Sequence, residues 1–253
     1  MSSATSTNKS SRRRSVNTNI TQFENFFQGW LVRQQGYLEQ LRDTLKELVC
    51  DDDDDDDDDE SASRGGGDVG GLITRVLAHY QEYYEEKSRI ANHDVSLVFS
   101  APWFSSLERS FFWIAGFKPA LTFRIVSRCI LDMTQEQSEA MERLQVETAI
   151  EERELENEMA RIQESVAGPA IVSATRGEIS IVDGKYDDLE VAIETLKAEM
   201  EVVLGNADML RSRTAERVVE ILMPVQNVKF LAAVTEMFTE MRMWGWHMEG
   251  GRQ

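Results

Sequence analysis

Proline, cysteine and histidine are scarce in this chain, and each shortage excludes a class of protein. Four prolines and 15 glycines in 253 residues are too few for an all-β architecture, which needs many tight turns. Two cysteines, Cys50 and Cys129, cannot build a disulfide framework. Neither has a second Cys or His at ligand spacing, so ordinary thiols in an intracellular, reducing compartment are expected. No run of about 18 apolar residues occurs, so no membrane-spanning helix is expected. The N-terminal stretch carries Arg12, Arg13 and Arg14 with no apolar segment after them, unlike a secretory signal. Three histidines leave little for acid–base or metal chemistry. There is no G-x-x-x-x-G-K-[ST], no G-x-G-x-x-G, no H-E-x-x-H and no meaningful Ser–His–Asp order. The chain therefore reads as a non-enzyme, with no catalytic residue and no metal site.

Negative charge is plentiful. The net charge is −18, and ten of those charges sit in residues 51–60, nine aspartates followed by Glu60. Like charges at every position repel and extend the backbone, so residues 50–71, which continue into Gly65, Gly66 and Gly67, read as a flexible acidic loop. A calcium loop needs alternating ligands, a glycine at the sixth position and a glutamate at the twelfth, and this run supplies neither. The remaining net charge is still negative, which opposes binding to the DNA backbone. The Arg12–Arg14 cluster lies in a Ser/Thr/Asn-rich tail, residues 1–19, read as disordered; a weak nuclear-import signal is the other reading.

Apolar periodicity predicts helices throughout. Thr21 and Glu24 have capping-box spacing, and Ile20, Phe23, Phe27, Trp30, Leu38, Leu41 and Leu45 recur at steps of three and four, the pattern of an amphipathic helix. Gln34 falls on that apolar stripe. A second helix is expected from Leu72 to Ile90, with His79 on its flank and His93 just beyond. A third, opened by Pro102, carries Trp103, Phe104, Leu107, Phe111, Phe112 and Ile114, with Gly116 as left-handed cap and Pro119 as stop. Leu121, Ile125 and Cys129 begin a fourth. From Thr134 to Ser165 a long Glu/Gln-rich helix packs through a narrow seam of Met141, Leu144, Leu155, Met159, Ile162 and Val166. Residues 170–184 read as a loop. Leu189, Ile193, Leu196, Met200, Val203, Ala207 and Leu210 then form a heptad seam. It pairs either with an antiparallel helix of the same bundle, the favoured reading, or with a second copy in a coiled-coil homodimer. The last helix starts at Pro224 and is expected to end at Gly245. The sum is an all-α bundle of six to eight helices.

Three blocks carry a resemblance. The opening F-E-N-F-F-Q-G-W-L contains Phe23 and Trp30. W-I-A-G-F-K-P contains Trp113, Gly116, Phe117 and Pro119. The closing M-P-V-Q-N-V-K-F-L-A-A-V contains Pro224, Gln226, Phe230 and Leu231. In this order, with the Glu/Gln-rich helix between the last two, they resemble the Delay of Germination (DOG) domain of plants over residues 20–249. That domain stands alone in seed-dormancy regulators and forms the C-terminal part of TGA-type bZIP transcription factors. The resemblance implies a nuclear or cytoplasmic regulator acting through protein partners, of the signalling-phosphatase or transcription co-regulator class. Its setting would be dormancy, germination, abscisic-acid signalling and control of transcription. No basic region or zipper precedes the domain here, so sequence-specific DNA binding does not transfer. Dormancy members are also linked to haem through C-terminal histidines; the only counterpart here is His247, beside Trp244, Trp246 and Met248. A ligand sensor, for haem or a lipid-like molecule held between helices, is the alternative reading.

Overall fold

The computed structural model describes residues 4–50, 68–168, 171–172 and 185–250, with side chains from residue 19 onward and gaps at 49–50 and 185–187. The acidic run at 51–60, and residues 173–184 of the expected second loop, lie outside the described residues. Among those described there is no strand. Among the described residues eight helices have defined bounds: α1 (Ala4–Cys50), α2 (Val69–Ala91), α3 (Val95–Ser100), α4 (Ser106–Ser110), α5 (Ala120–Cys129), α6 (Gln135–Ser165), α7 (Lys185–Ile221) and α8 (Pro224–Gly250). None is long and apolar enough to cross a membrane.

The fold is all-α, as the periodicity predicts, with corrections at several boundaries. Helix α1 is already running at Ala4, so Thr21 and Glu24 lie inside a helix instead of opening one, and residues 4–19 are helical in backbone. Capping-box spacing also arises by chance along a polar helix face. The second helix begins at Val69, where the Asp68 carboxylate accepts from Gly71 N at 2.9 Å. Helix α6 opens at the expected place, and the structure adds a capping box between Thr134 and Gln137.

The aromatic stretch after Pro102 is not one helix. Helix α3 stops at Ala101, which turns left-handed (φ 39°). Ser105 and Glu108 then open the five-residue α4 with a fresh capping box. The reason is that the rings have different destinations. Trp103 lies 4.2 Å, centroid to centroid, from Phe23, while Phe104 meets Phe27 and Phe112 edge-on. A single helix could not aim neighbouring residues at both.

Two apolar clusters hold the bundle. One draws Leu41 of α1, Val76 of α2, Phe123 and Val126 of α5, Met141 and Leu144 of α6, Val218 of α7 and Phe230 and Leu231 of α8 into a common core. The other is aromatic: Phe23, Phe27 and Trp30 of α1 pack with Ile90, Val95, Val98, Trp103 and Leu204. Helices α6 and α7 run antiparallel, tied by Thr148–Thr214, Arg213–Glu151 and Arg217–Glu147, with Leu155 against Ala207 and Leu210. The later half of the heptad seam is thus buried inside the bundle. Helix α1 lies antiparallel to α8, joined by Arg42–Glu236 near one end and Arg242 over Phe27 near the other.

Helix α8 does not stop at Gly245. That glycine is buried mid-helix, and a Cβ there would sit 2.0 Å from Ser105 Oγ. Its role is close approach between α8 and the start of α4, not termination.

Candidate functional site

Gln226, in the closing motif block, sits in the first turn of α8. Its side-chain oxygen accepts from Met223 N (2.9 Å) and Gln137 Nε2 (2.8 Å), which knits the α7–α8 turn to the start of α6. Pro224 opens the helix, and Phe230 and Leu231 enter the core one turn later.

Residues 113–116 form a tight turn in which Trp113 N donates to Gly116 O and Gly116 N donates back to Trp113 O. Its two central residues, Ile114 (φ 43°) and Ala115 (φ 53°), are both left-handed. That geometry is ordinarily filled by Asn-Gly, and a β-branched residue in it is strained. Arg211 holds the strained turn: its guanidinium donates to the carbonyls of Trp113, Ile114 (2.9 Å) and Phe117 (2.7 Å), and its other arm pairs with Asp208. Gly116 is therefore not the left-handed cap expected of it. A Cβ at Gly116 would come within 2.9 Å of Arg211 Cζ, so the glycine makes room for the guanidinium.

The outer side of this turn is latched to α6. Trp113 is only half-buried; its indole N–H donates to Glu156 at 3.0 Å and its ring lies under Arg211 (5.3 Å) and Lys118 (5.8 Å). Lys118 is not a lone surface charge, since it bridges Glu156 at 2.5 Å and Glu152 at 3.5 Å. The hydrogen bond from Lys118 holds the Glu156 carboxyl below its usual range, and the same bond raises the Lys118 ammonium. Burial instead pushes Glu152 up, against the pull of the Ala120 amide that donates to it at 2.6 Å.

Beneath the turn lies a cavity of about 320 Å³. Trp30, Gly116, Phe117, Pro119, Phe230 and Leu231 all line it, so members of all three motif blocks converge on one space. Phe23, Trp113, Pro224 and Gln226 do not reach it. Further walls come from Phe27, Tyr80, Tyr83, Tyr84, Phe104, Phe112 and Phe238, and polar points from Gln34, Lys87, Arg211 and Arg242. Gln34, the polar residue on the apolar stripe of α1, donates to Tyr80 Oη (3.2 Å), which in turn bonds to Thr235 Oγ1 (3.0 Å). Sequence reading singled out Gln34 but not Lys87, Asp208 or Arg211. Lys87 is charged on an apolar face of α2, and that mismatch was the available signal.

The histidines do not gather. His79 is buried with its ring stacked on Trp30 at 4.4 Å, not on an exposed flank; burial first, then Arg33, lowers its pKa to about 4. His93 is exposed. His247 is exposed on α8 beside Trp244, outside the cavity lining, and no cluster of metal-binding side chains occurs among the described residues. His247 therefore lacks the enclosing apolar walls that a haem ligand needs, and haem does not fit here. Its surroundings are instead an open surface: Met243, Trp244, Trp246 and Met248 are each about half exposed or more.

Comparison with known proteins agrees with the motif blocks. The family described as DOG1, seed dormancy control, matches residues 38–128. Protein ZW2 of Arabidopsis thaliana is 34% identical over 87% of this chain and 94% of its own length. Protein RESPONSE TO ABA AND SALT 1, also of Arabidopsis thaliana, is 35% identical over 89% of this chain and 96% of its own. This chain belongs to the DOG1 family. Transcription factor TGA7 of Arabidopsis thaliana is 27% identical over 90% of this chain, yet that match spans only 56% of the factor. The relatives thus include a protein named for its response to abscisic acid and salt and a transcription factor of the TGA type.

Proposed function

We propose that this protein is a non-enzymatic regulatory module, built as one DOG domain over residues 20–249. It acts through protein partners of the signalling-phosphatase or transcription co-regulator class, in dormancy, germination and abscisic-acid signalling, in the nucleus or cytoplasm. The observation that carries this reading is the exposed Met243, Trp244, Trp246 and Met248 surface on α8. Two large aromatic rings left in water on a well-packed helix are the residue type that dominates binding energy at protein interfaces. The names of the relatives supply the setting, an abscisic-acid and salt response and transcription. The test is capture of phosphatase and TGA-type partners by the full chain and by a Trp244→Ala/Trp246→Ala variant. The variant should lose at least about tenfold in affinity, the weight of one hot-spot residue, while melting like the parent. Equal capture by both would move the interface elsewhere.

A second reading, a ligand sensor, is favoured by the cavity itself. Its volume lies at the lower end of small-molecule sites, and its walls are aromatic with few polar points, as such sites are. Arg242 connects it to the surface: the guanidinium lies 4.9 Å over Phe27 in the cavity wall and 5.6 Å from Trp246 outside. A lipid-like occupant that shifted Arg242 would alter the partner surface.

A further inference from the structure

Lys87 is buried and lies apart from the exposed α8 surface, and its setting is specific. It is 1% exposed and lines the cavity, with Nζ 2.8 Å from Asp208 Oδ1 and 6.0 Å from the Tyr84 ring centroid. Asp208 Oδ1 also accepts from Arg211, so two cations share one carboxylate. The charged and titratable groups around the site are Tyr83 and Tyr84 on α2, Asp208 and Arg211 on α7, and Glu108 on α4, which acts on Tyr83. Burial raises both tyrosine hydroxyls, which stay protonated. An amine in an apolar chamber and a carboxylate within hydrogen-bond reach to carry protons are the parts that imine chemistry uses, and Arg211 fixes that carboxylate in place.

We infer that Lys87 captures an apolar aldehyde in the cavity as a reversible imine. This rests on the ligand-sensor reading and names the chemistry of its ligand. Asp208 takes a proton from the Lys87 ammonium, and the freed amine lone pair attacks the aldehyde carbon. A C–N bond forms, the carbonyl π pair moves to oxygen, and the proton returns from Asp208 to that oxygen. The nitrogen then gives a proton to Asp208, which passes it to the hydroxyl; the C–O bond breaks and water leaves. The product is a protonated imine, which keeps the single positive charge that Lys87 had and finds Asp208 as its counter-ion. No oxidant or reductant is consumed. Arg211 holds the Asp208 side chain beside Lys87, so its position does not depend on the lysine proton.

Burial, opposed by Asp208, lowers the Lys87 pKa to about 8. At neutral pH this leaves roughly 200-fold more free amine than on an ordinary lysine. The experiment uses the full chain with 2-naphthaldehyde and cyanoborohydride, which reduces the imine to a stable amine, followed by intact mass and peptide mapping. One equivalent should appear on Lys87 well before surface lysines such as Lys46 or Lys197, faster as pH rises from 6 to 8. The matching alcohol, 2-naphthalenemethanol, should slow it. Lys87→Arg, which retains the pair with Asp208 but has no nucleophilic amine, should abolish the fast phase, as should Lys87→Met. Label spread over surface lysines at the same rate in wild type and variants would overturn the proposal. If the alcohol raises the melting temperature but Lys87 is not modified, the cavity binds ligands and the imine is wrong. If neither compound binds, the ligand-sensor reading falls with it.

Discussion

Gly116 and Arg211 show how one missing methyl group can organise a loop. The guanidinium satisfies three carbonyls of a turn whose central residues would otherwise avoid it, and it can do so only because position 116 has no side chain. Gly116→Ala should displace Arg211 and lower the free energy of unfolding by about 1 to 3 kcal/mol, measured by urea titration. Lys118 acts at the same place from outside. Glu156 titrates below its unfolded value, so its contribution is present above about pH 4.3 and is lost as acid protonates it in the folded state. Lys118 titrates above its unfolded value, so its contribution is complete below about pH 10.4 and fades as alkali removes the proton. The buried Glu152 works in the opposite sense on the acid side and weakens that dependence. Lys118→Ala should cost about 1 kcal/mol near pH 7, since the pair is partly exposed, and the difference from the parent should shrink as pH falls below about 4.3 and vanish once Glu156 is protonated in the fold. A difference that persists in strong acid would point to packing of the lysine stem instead.

At the level of elements, two helix-interior glycines make opposite predictions from one propensity scale. Gly205 of α7 has open space where a Cβ would go, so Gly205→Ala should raise stability by about 0.5 to 1 kcal/mol. Gly245 of α8 would drive a Cβ into Ser105, so Gly245→Ala should lower stability by about 1 to 3 kcal/mol despite the same helical gain. Paired melts of the two variants check both signs. The same contrast explains what could be read from sequence. Period and punctuation located α2, α5, α6 and the opening of α8, because those helices bury one face along their length; they also favoured an antiparallel partner within the bundle for the heptad seam without naming it, and that partner is α6. They misread Gly245 as a stop and Gly116 as a cap, because a glycine required by a neighbouring element looks the same as one required by its own backbone. They joined residues 102–116 into a helix because a count of aromatic residues does not say where each ring points. The cavity was legible only in part: its motif walls were named, but the Lys87–Asp208–Arg211 cluster is assembled from helices 121 residues apart in sequence.

For the whole molecule, the stack of His79 on Trp30 sets a limit on acid tolerance. The imidazole takes up its proton near pH 4 when folded but near 6.5 when unfolded. Its contribution is therefore complete above pH 6.5 and is lost progressively as pH falls toward 4, by up to about 3 kcal/mol. His79→Phe keeps an aromatic ring against Trp30 and should flatten the pH dependence of unfolding across that window. A parallel decline in the variant and the parent would assign the acid lability to the carboxylates.

The antiparallel seating of α1 on α8 also has a consequence for how the chain is made. Phe23, Phe27 and Trp30 leave the ribosome first, yet α8, against which α1 packs, follows some 200 residues later, roughly 10 to 40 s at ordinary rates of translation. During that interval the aromatic stretch of α1 can pair with α2, α3 and Trp103, but the side of α1 that meets α8 has no final partner and is open to chaperones and proteases. Loss of α8 from a truncated message would leave that side of α1 uncovered for good, so incomplete chains should be cleared by quality control instead of accumulating as partly active regulators.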